Sequence, residues 1–252
     1  KWSDDRAVRV IGGFAGKRES GSKINVIVAK PVGSQKGRLT DCAIVTGTWG
    51  TSDLIIDLVS SNGVVSGAGG DGGKGADGIT YAAQLGGNGS SGIGIQHSGT
   101  VVNVRSGSRL QNGYAGGTGG SGGRETSKRD RRAGGGGGGG GAGFPFGNGG
   151  SGGEPQAGTR DNPSDIGKTG GNGTLTTGGA GGGGGDNEDQ AGGGTGGVGA
   201  QFNVLAGTGG LGARANNGYA VLSNPGVSFT VNNISGTVHG DLLTLSGDAR
   251  VT

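Results

Sequence analysis

The side chains that could do chemistry stand in short inserts between runs of glycine. Residues 124–132, RETSKRDRR, carry Arg124, Lys128, Arg129, Arg131 and Arg132. Cations at that density suit carboxylates or phosphates, which they hold by charge-assisted hydrogen bonds. Asp186, Glu188 and Asp189 in DNEDQ offer the opposite charge. Phe144-Pro145-Phe146 is an aromatic tip, and Tyr81 stands in the insert 79–85. A longer polar loop, 154–166, contains two prolines and Arg160. Loops of differing charge beside an aromatic tip suit recognition, because loops on a rigid scaffold carry function and Arg and aromatic residues dominate contact energetics. The plainer reading makes each insert a solvated turn.

No catalytic, cofactor or metal site assembles from the remaining motifs. Residues 207–212, GTGGLG, match GxGxxG, but a dinucleotide site needs a helix next. Asn216-Asn217-Gly218 would break that helix within a few residues. Gly167-Lys168-Thr169 is not a phosphate loop, since Asn162 stands where its first glycine belongs. Residues 72–80, GGKGADGIT, fit one copy of a calcium-binding nonapeptide, which requires stacked copies. His97 and His239 lack a ligand or nucleophile context and read as surface or turn residues. Cys42, alone, gives no disulfide framework and reads as a small buried apolar residue. The chain therefore reads as non-enzymatic.

The elements that must position the inserts are unusual. Of 252 residues 71 are glycine, including an unbroken run at 134–141, while hydrophobic residues make up 29% and aromatics 4%. A conventional core of this size cannot be built from that composition. Charged residues are 15%, low for a disordered chain, and five prolines are too few for collagen. A net charge of +3 is too small an excess to argue for nucleic acid. No apolar stretch approaches the roughly 18 residues of a membrane span. The chain begins at Lys1 and contains no methionine, which suggests a fragment or a processed product.

Three regions separate along the chain. Residues 1–62 read as a β-rich attachment segment with strands near 7–11, 23–28, 42–45 and 54–59, from β-branched runs between Gly, Ser and Asp turns. Trp2 and Trp49, the two tryptophans, make it the expected docking part. Residues 63–212 are glycine-rich, with a strand-like interruption at 100–104. Residues 213–252 return to β character near 218–222, 227–231 and 241–245. Within the glycine region GGD-GGK-G and GGT-GGS-GGR repeat every three residues, the period of the polyproline II conformation. The expected fold class is a polyglycine II helix sandwich, mostly irregular by standard assignment, flanked by N- and C-terminal β elements and with essentially no α-helix. In that arrangement Thr118, Ser121 and Arg124 face solvent, and the run 134–141 lies inside.

These features resemble the glycine-rich receptor-binding tip adhesins of tailed-phage fibres, of the T-even long-tail-fibre type or the similar end of a siphophage central tail fibre. The resemblance covers about residues 54–222. It rests on 58–73, LVSSNGVVSGAGGDGG, on the charged inserts, and on the exit Asn217-Gly218-Tyr219-Ala220-Val221. It implies a virion protein at the distal end of a tail fibre, docked by its N-terminal segment on a trimeric fibre or tail protein. It implies recognition of a host outer-membrane protein, with lipopolysaccharide as a further contact, and no membrane insertion. The receptor-contacting residues would then be Tyr81, Arg124, Lys128, Arg129, Arg131, Arg132, Phe144, Phe146, Arg160, Asp186, Glu188 and Asp189, with Trp2 and Trp49 docking on the fibre. A second resemblance, to ice-binding polyglycine bundles of springtails, is weakened by the charged loops and β-rich ends. A glycine-rich structural protein is the other alternative.

Overall fold

The computed structural model describes residues 8–9, 23–78, 82–122, 133–155, 166–185, 193–246 and 251. The chain forms two compact units, Lys1–Ala68 with Ser90–Gly113 and Gly218–Thr252, and Gly69–Gly89 with Tyr114–Asn217.

The first unit is a three-sided parallel β-helix. Its strands are β1 (Val8–Arg9), β2 (Lys23–Val28), β3 (Val32–Gly33), β4 (Cys42–Val45), β5 (Asp53–Leu58), β6 (Val64–Ser66), β7 (Ser91–Ile95), β8 (Thr100–Arg105), β9 (Arg109–Gln111), β10 (Val221–Ser223), β11 (Phe229–Ile234), β12 (Thr237–His239) and β13 (Leu242–Thr244). They visit three sheets in rotation, ordered β1-β4-β7-β10-β13, β11-β8-β5-β2 and β12-β9-β6-β3. Every pairing is parallel, so four coils stack in register and a fifth begins at β13.

Alternation along each strand fixes which residues face in. In β5, Leu54, Ile56 and Leu58 are buried while Asp53 is exposed. Stacking then builds ladders: Val26–Ile56–Val102–Val231 on one side, Val32–Val65–Leu110–Val238 on another, Ile44–Ile93–Val221–Leu242 on the third. Except for Leu242, which is exposed, their side chains meet in one aliphatic core. Each fully buried Val, Leu or Ile contributes about 1.5–3 kcal/mol relative to exposure. Outside, Asp57, Asn103 and Asn232 form a polar ladder, Asn103 Nδ2 donating to Asp57 Oδ1 at 2.9 Å and Asn232 Nδ2 to Asn103 Oδ1 at 3.0 Å. The Arg105 guanidinium pairs with the same Asp57 oxygen at 2.9 Å.

One corner is stapled between coils. His97, buried, accepts the Trp49 N–H at Nδ1 (3.2 Å), so Nε2 carries the ring proton and donates to Ser52 O at 2.8 Å. The Trp49 indole donates to Thr46 O at 2.5 Å. His97 is thus an interior corner residue rather than a surface one. Val251 lies over the outer face of the first sheet, its N–H donating to Asn224 Oδ1 at 2.9 Å. Gly94 makes that approach possible: a Cβ there would stand 2.1 Å from Val251 Cγ1. Cys42 is buried in the same cluster with Val45 and Leu222, and burial, then the Asp41 charge, pushes its thiol pKa far up.

The expected fold class is corrected. The protein is not a polyglycine II helix sandwich with β flanks: its regular structure is the three parallel sheets, and among the described residues the helical content is a 3-10 turn at Gly209–Leu211. The segments read as flanks, together with the interruption near residue 100, are successive coils of one β-helix. They pair across gaps of up to 129 residues, as Phe229 does with Thr100.

Candidate functional site

The glycine-rich unit holds the inserts, and its backbone bonds show how. Every third amide of a run bonds to the same neighbour. Gly135, Gly138 and Gly141 donate to Ala76, Gly73 and Gly70; Gly136, Gly139 and Ala142 donate to Gly194, Gly197 and Ala200; Gly137, Gly140 and Gly143 donate to Lys168, Gly171 and Thr174. The same run accepts from Gly117 and Gly120, from Gly147, Gly150 and Gly153, and from Gly179, Gly182 and Gly185. It therefore touches six other runs, and residues 133–143 are buried throughout. Buried amides and carbonyls must find partners, and here they find each other.

That contact is why the residues are glycine. A Cβ on Gly137 would lie 1.8 Å from Gly150 O, and one on Gly139 1.9 Å from Gly179 O. Where a run reaches the surface, every third position carries a side chain: Asp71, Lys74 and Asp77 on one, Asn148, Ser151 and Glu154 on the next. These side chains tie the runs together. Asp71 Oδ1 accepts from Asn148 N and Asp77 Oδ1 from Glu154 N, both at 2.7 Å, and Lys74 pairs with Asp77 at 2.6 Å. Partial burial opposes the Asp77 charge, but the bonds from Lys74 and Glu154 outweigh it and hold the carboxyl below its ordinary pKa. Thr118 departs from its expected place facing solvent: it is fully buried, and its hydroxyl donates to Ala213 O at 2.9 Å. Ser121 is exposed, as expected.

The runs go back and forth, so the inserts divide between two ends of this unit. At one end the flanks of 79–81, 123–132, 156–165 and 186–192 converge: Ala76 N bonds to Gly120 O, Gly135 N to Ala76 O, Gly153 N to Gly135 O, Gly167 N to Gly153 O, Gly185 N to Gly134 O, and Gly193 N to Gly185 O, all within 2.7–2.9 Å. Tyr81, Arg124, Lys128, Arg129, Arg131, Arg132, Arg160, Asp186, Glu188 and Asp189 lie outside the described residues, as does Trp2. The flanks of the four inserts are brought together.

Phe144 and Phe146 fall at the other end, with two turns the sequence reading did not single out. Gly143 N donates to Thr174 O at 3.0 Å and Ala142 N to Ala200 O at 3.0 Å, which sets 143–147 beside 174–177 and 201–205. Gln201 and Val204 exchange backbone bonds of 2.9 Å across a two-residue turn, with Asn203 at φ 60°. The turn exposes Phe202, Val204 and Leu205, alongside Phe146. Asn203, at a position needing positive φ, is the residue type that marks such a turn in sequence. The structure does not bring the aromatic tip together with the flanks of the basic loop. Trp49 is the buried corner residue of the β-helix and presents little surface to a partner.

One solved structure with a measurable likeness is the crystal structure of the gp37-gp38 adhesin tip complex of the bacteriophage S16 long tail fiber. It aligns at 16% identity and a TM-score of 0.36, over 88% of this chain and 82% of that one. No family model and no curated protein matches the chain. A likeness of that size assigns neither fold family nor function. Among the described residues no three His, Cys, Asp or Glu side chains converge as a metal site, and no helix is long and apolar enough to cross a membrane.

Proposed function

We propose that this chain is a non-enzymatic adhesin at the distal end of a tailed-phage fibre, binding a host outer-membrane protein, with lipopolysaccharide as a further contact. The observation that carries the reading is the convergence of four insert flanks on one hydrogen-bonded end of the glycine unit. Flanks fixed before binding lower the ordering cost of the loops between them. The basic insert, with five cations and two acidic residues, would meet acidic loops or phosphates, and the acidic insert basic loops. Tyr81 and Arg160 belong to the same set of inserts. Phe144 and Phe146, at the other end, leave the proposed receptor surface. A trimeric fibre or tail protein is the proposed partner of the β-rich segments.

Labelled protein is to be titrated on a panel of intact Gram-negative cells, with detergent-solubilised outer-membrane proteins as competitors. Saturable, strain-dependent binding abolished by one membrane protein supports the reading. Folded protein that binds no strain overturns it, and thermal hysteresis then tests ice binding. Exchanging 124–132 for a neutral loop should weaken cell binding and leave the melting temperature unchanged; binding that survives removes the basic insert from the contact.

A further inference from the structure

Six asparagines precede glycine: Asn62, Asn88, Asn112, Asn148, Asn172 and Asn217. Such pairs are open to spontaneous deamidation, because glycine leaves the following nitrogen unhindered. The glycine nitrogen attacks the asparagine Cγ; a C–N bond forms, the Cγ–Nδ2 bond breaks, and ammonia departs with the amide proton. Water then opens the cyclic imide at either carbonyl, giving aspartate or isoaspartate. The step requires a side chain free to turn and an amide able to leave its acceptor.

Four of the pairs are held at both groups. Asn88 Oδ1 accepts from Asn216 N while Gly89 N donates to Asn216 O, each at 2.9 Å. Asn112 is buried, with Nδ2 on Gly113 O at 3.1 Å and Gly113 N on Ser90 O at 2.7 Å. Asn172 Oδ1 accepts from Gly149 N and Gly173 N donates to Gly147 O, both at 2.8 Å. Asn217 Oδ1 accepts from Ala115 N and Gly218 N donates to Gly113 O, both at 2.9 Å.

Asn62 and Asn148 differ. Both are exposed, and neither side chain hydrogen-bonds among the described residues. Gly63 N is held only within its own turn, by Ser60 O at 3.1 Å, the longest of the six bonds. Gly149 N is held by a side chain, Asn172 Oδ1, which can rotate away. We propose that Asn62 and Asn148 are the deamidation sites of the folded protein, and that Asn172 is the latch that slows Asn148. The consequence at Asn148 is structural. Its N–H and C=O bond to Asp71 Oδ1 and Gly72 N, so the extra backbone atom of isoaspartate breaks the three-residue register beside 143–147.

The full chain is to be aged in heavy-oxygen water at mildly alkaline pH, in native buffer and in guanidinium chloride, and all six sites scored by peptide mapping. In native buffer Asn62 and Asn148 should react about tenfold faster than the other four, since each holding bond slows attainment of the attack geometry. In denaturant the spread should collapse. Any of the four matching either site in native buffer overturns the assignment. N172A should raise the Asn148 rate about fivefold and N172D should not; equal rates overturn the latch. Asn88, Asn112 and Asn217 report in the same digests whether a variant stayed folded.

Discussion

Leu58 and Gly137 are both fully enclosed, yet they are enclosed by different things. Leu58 projects into a stack of aliphatic side chains, on a strand bonded to two neighbours. Gly137 meets only peptide groups, in a run bonded to six. The β-helix excludes water with side chains and uses the backbone to set spacing. The glycine unit excludes water chiefly with the backbone itself, and apart from Thr118 and a small cluster of Tyr114 and alanines its side chains lie at the surface and in the inserts. The first kind of interior tolerates changes that preserve volume; the second tolerates no added atom, because what it would strike is a carbonyl.

The sharpest break of that contrast is G137V. Its Cβ would have to enter the space of Gly150 O, and hydrogen-exchange protection of 114–200 should fall by about 4 kcal/mol or more. Strands β4–β9 should keep their protection; loss of both together would show one cooperative unit. L58A tests the converse. It leaves a cavity in the β-helix and should cost about 2–5 kcal/mol in denaturant unfolding, with the glycine runs still protected at low denaturant. G183A sharpens the comparison within one run. A Cβ there would meet Lys168 Cδ at 3.7 Å, whereas one on the neighbouring Gly182 would stand 2.0 Å from Lys168 O. G183A should be neutral or stabilising by about 0.5 kcal/mol, and G182A clearly destabilising. A destabilised G183A would mean that glycine is needed even where space is open.

The smallest expected effect is confined to the β-helix. Burial first, and the Arg109 charge second, lower the His239 pKa below its ordinary 6.5. The unfolded chain therefore takes up a proton first as pH falls through 6.5. Stability declines over the window between 6.5 and the folded-state value, then levels. H239Q should flatten that slope in pH-dependent melting curves; an unchanged slope assigns it to other groups.

The longer strands were legible because β-branched runs announce them: 23–28 and 42–45 match β2 and β4 residue for residue. β7 was hidden, since SGIGI places glycine where alternation would show a second residue type. The third sheet was hidden by brevity, its strands being two or three residues long. The rotation among sheets was illegible, because it depends on pairings far apart in sequence. Burial of 134–141 followed from the absence of side chains, but Thr118 did not follow: its hydroxyl finds a carbonyl 95 residues away. The division of inserts between two ends required the back-and-forth course of the runs.

The β-helix is interrupted twice, between β6 and β7 and between β9 and β10, and the stems of both interruptions are tied in series. Ser90 N bonds to Ala68 O, Gly113 N to Ser90 O, and Gly218 N to Gly113 O. The chain leaves and re-enters the coils at stems that are closed by their own backbone bonds. Closure entropy grows only logarithmically, by about 0.6 kcal/mol for each doubling. Inserts between runs can thus lengthen at small thermodynamic expense, whereas a run bonded to six neighbours cannot be removed without leaving buried amides and carbonyls unpaired.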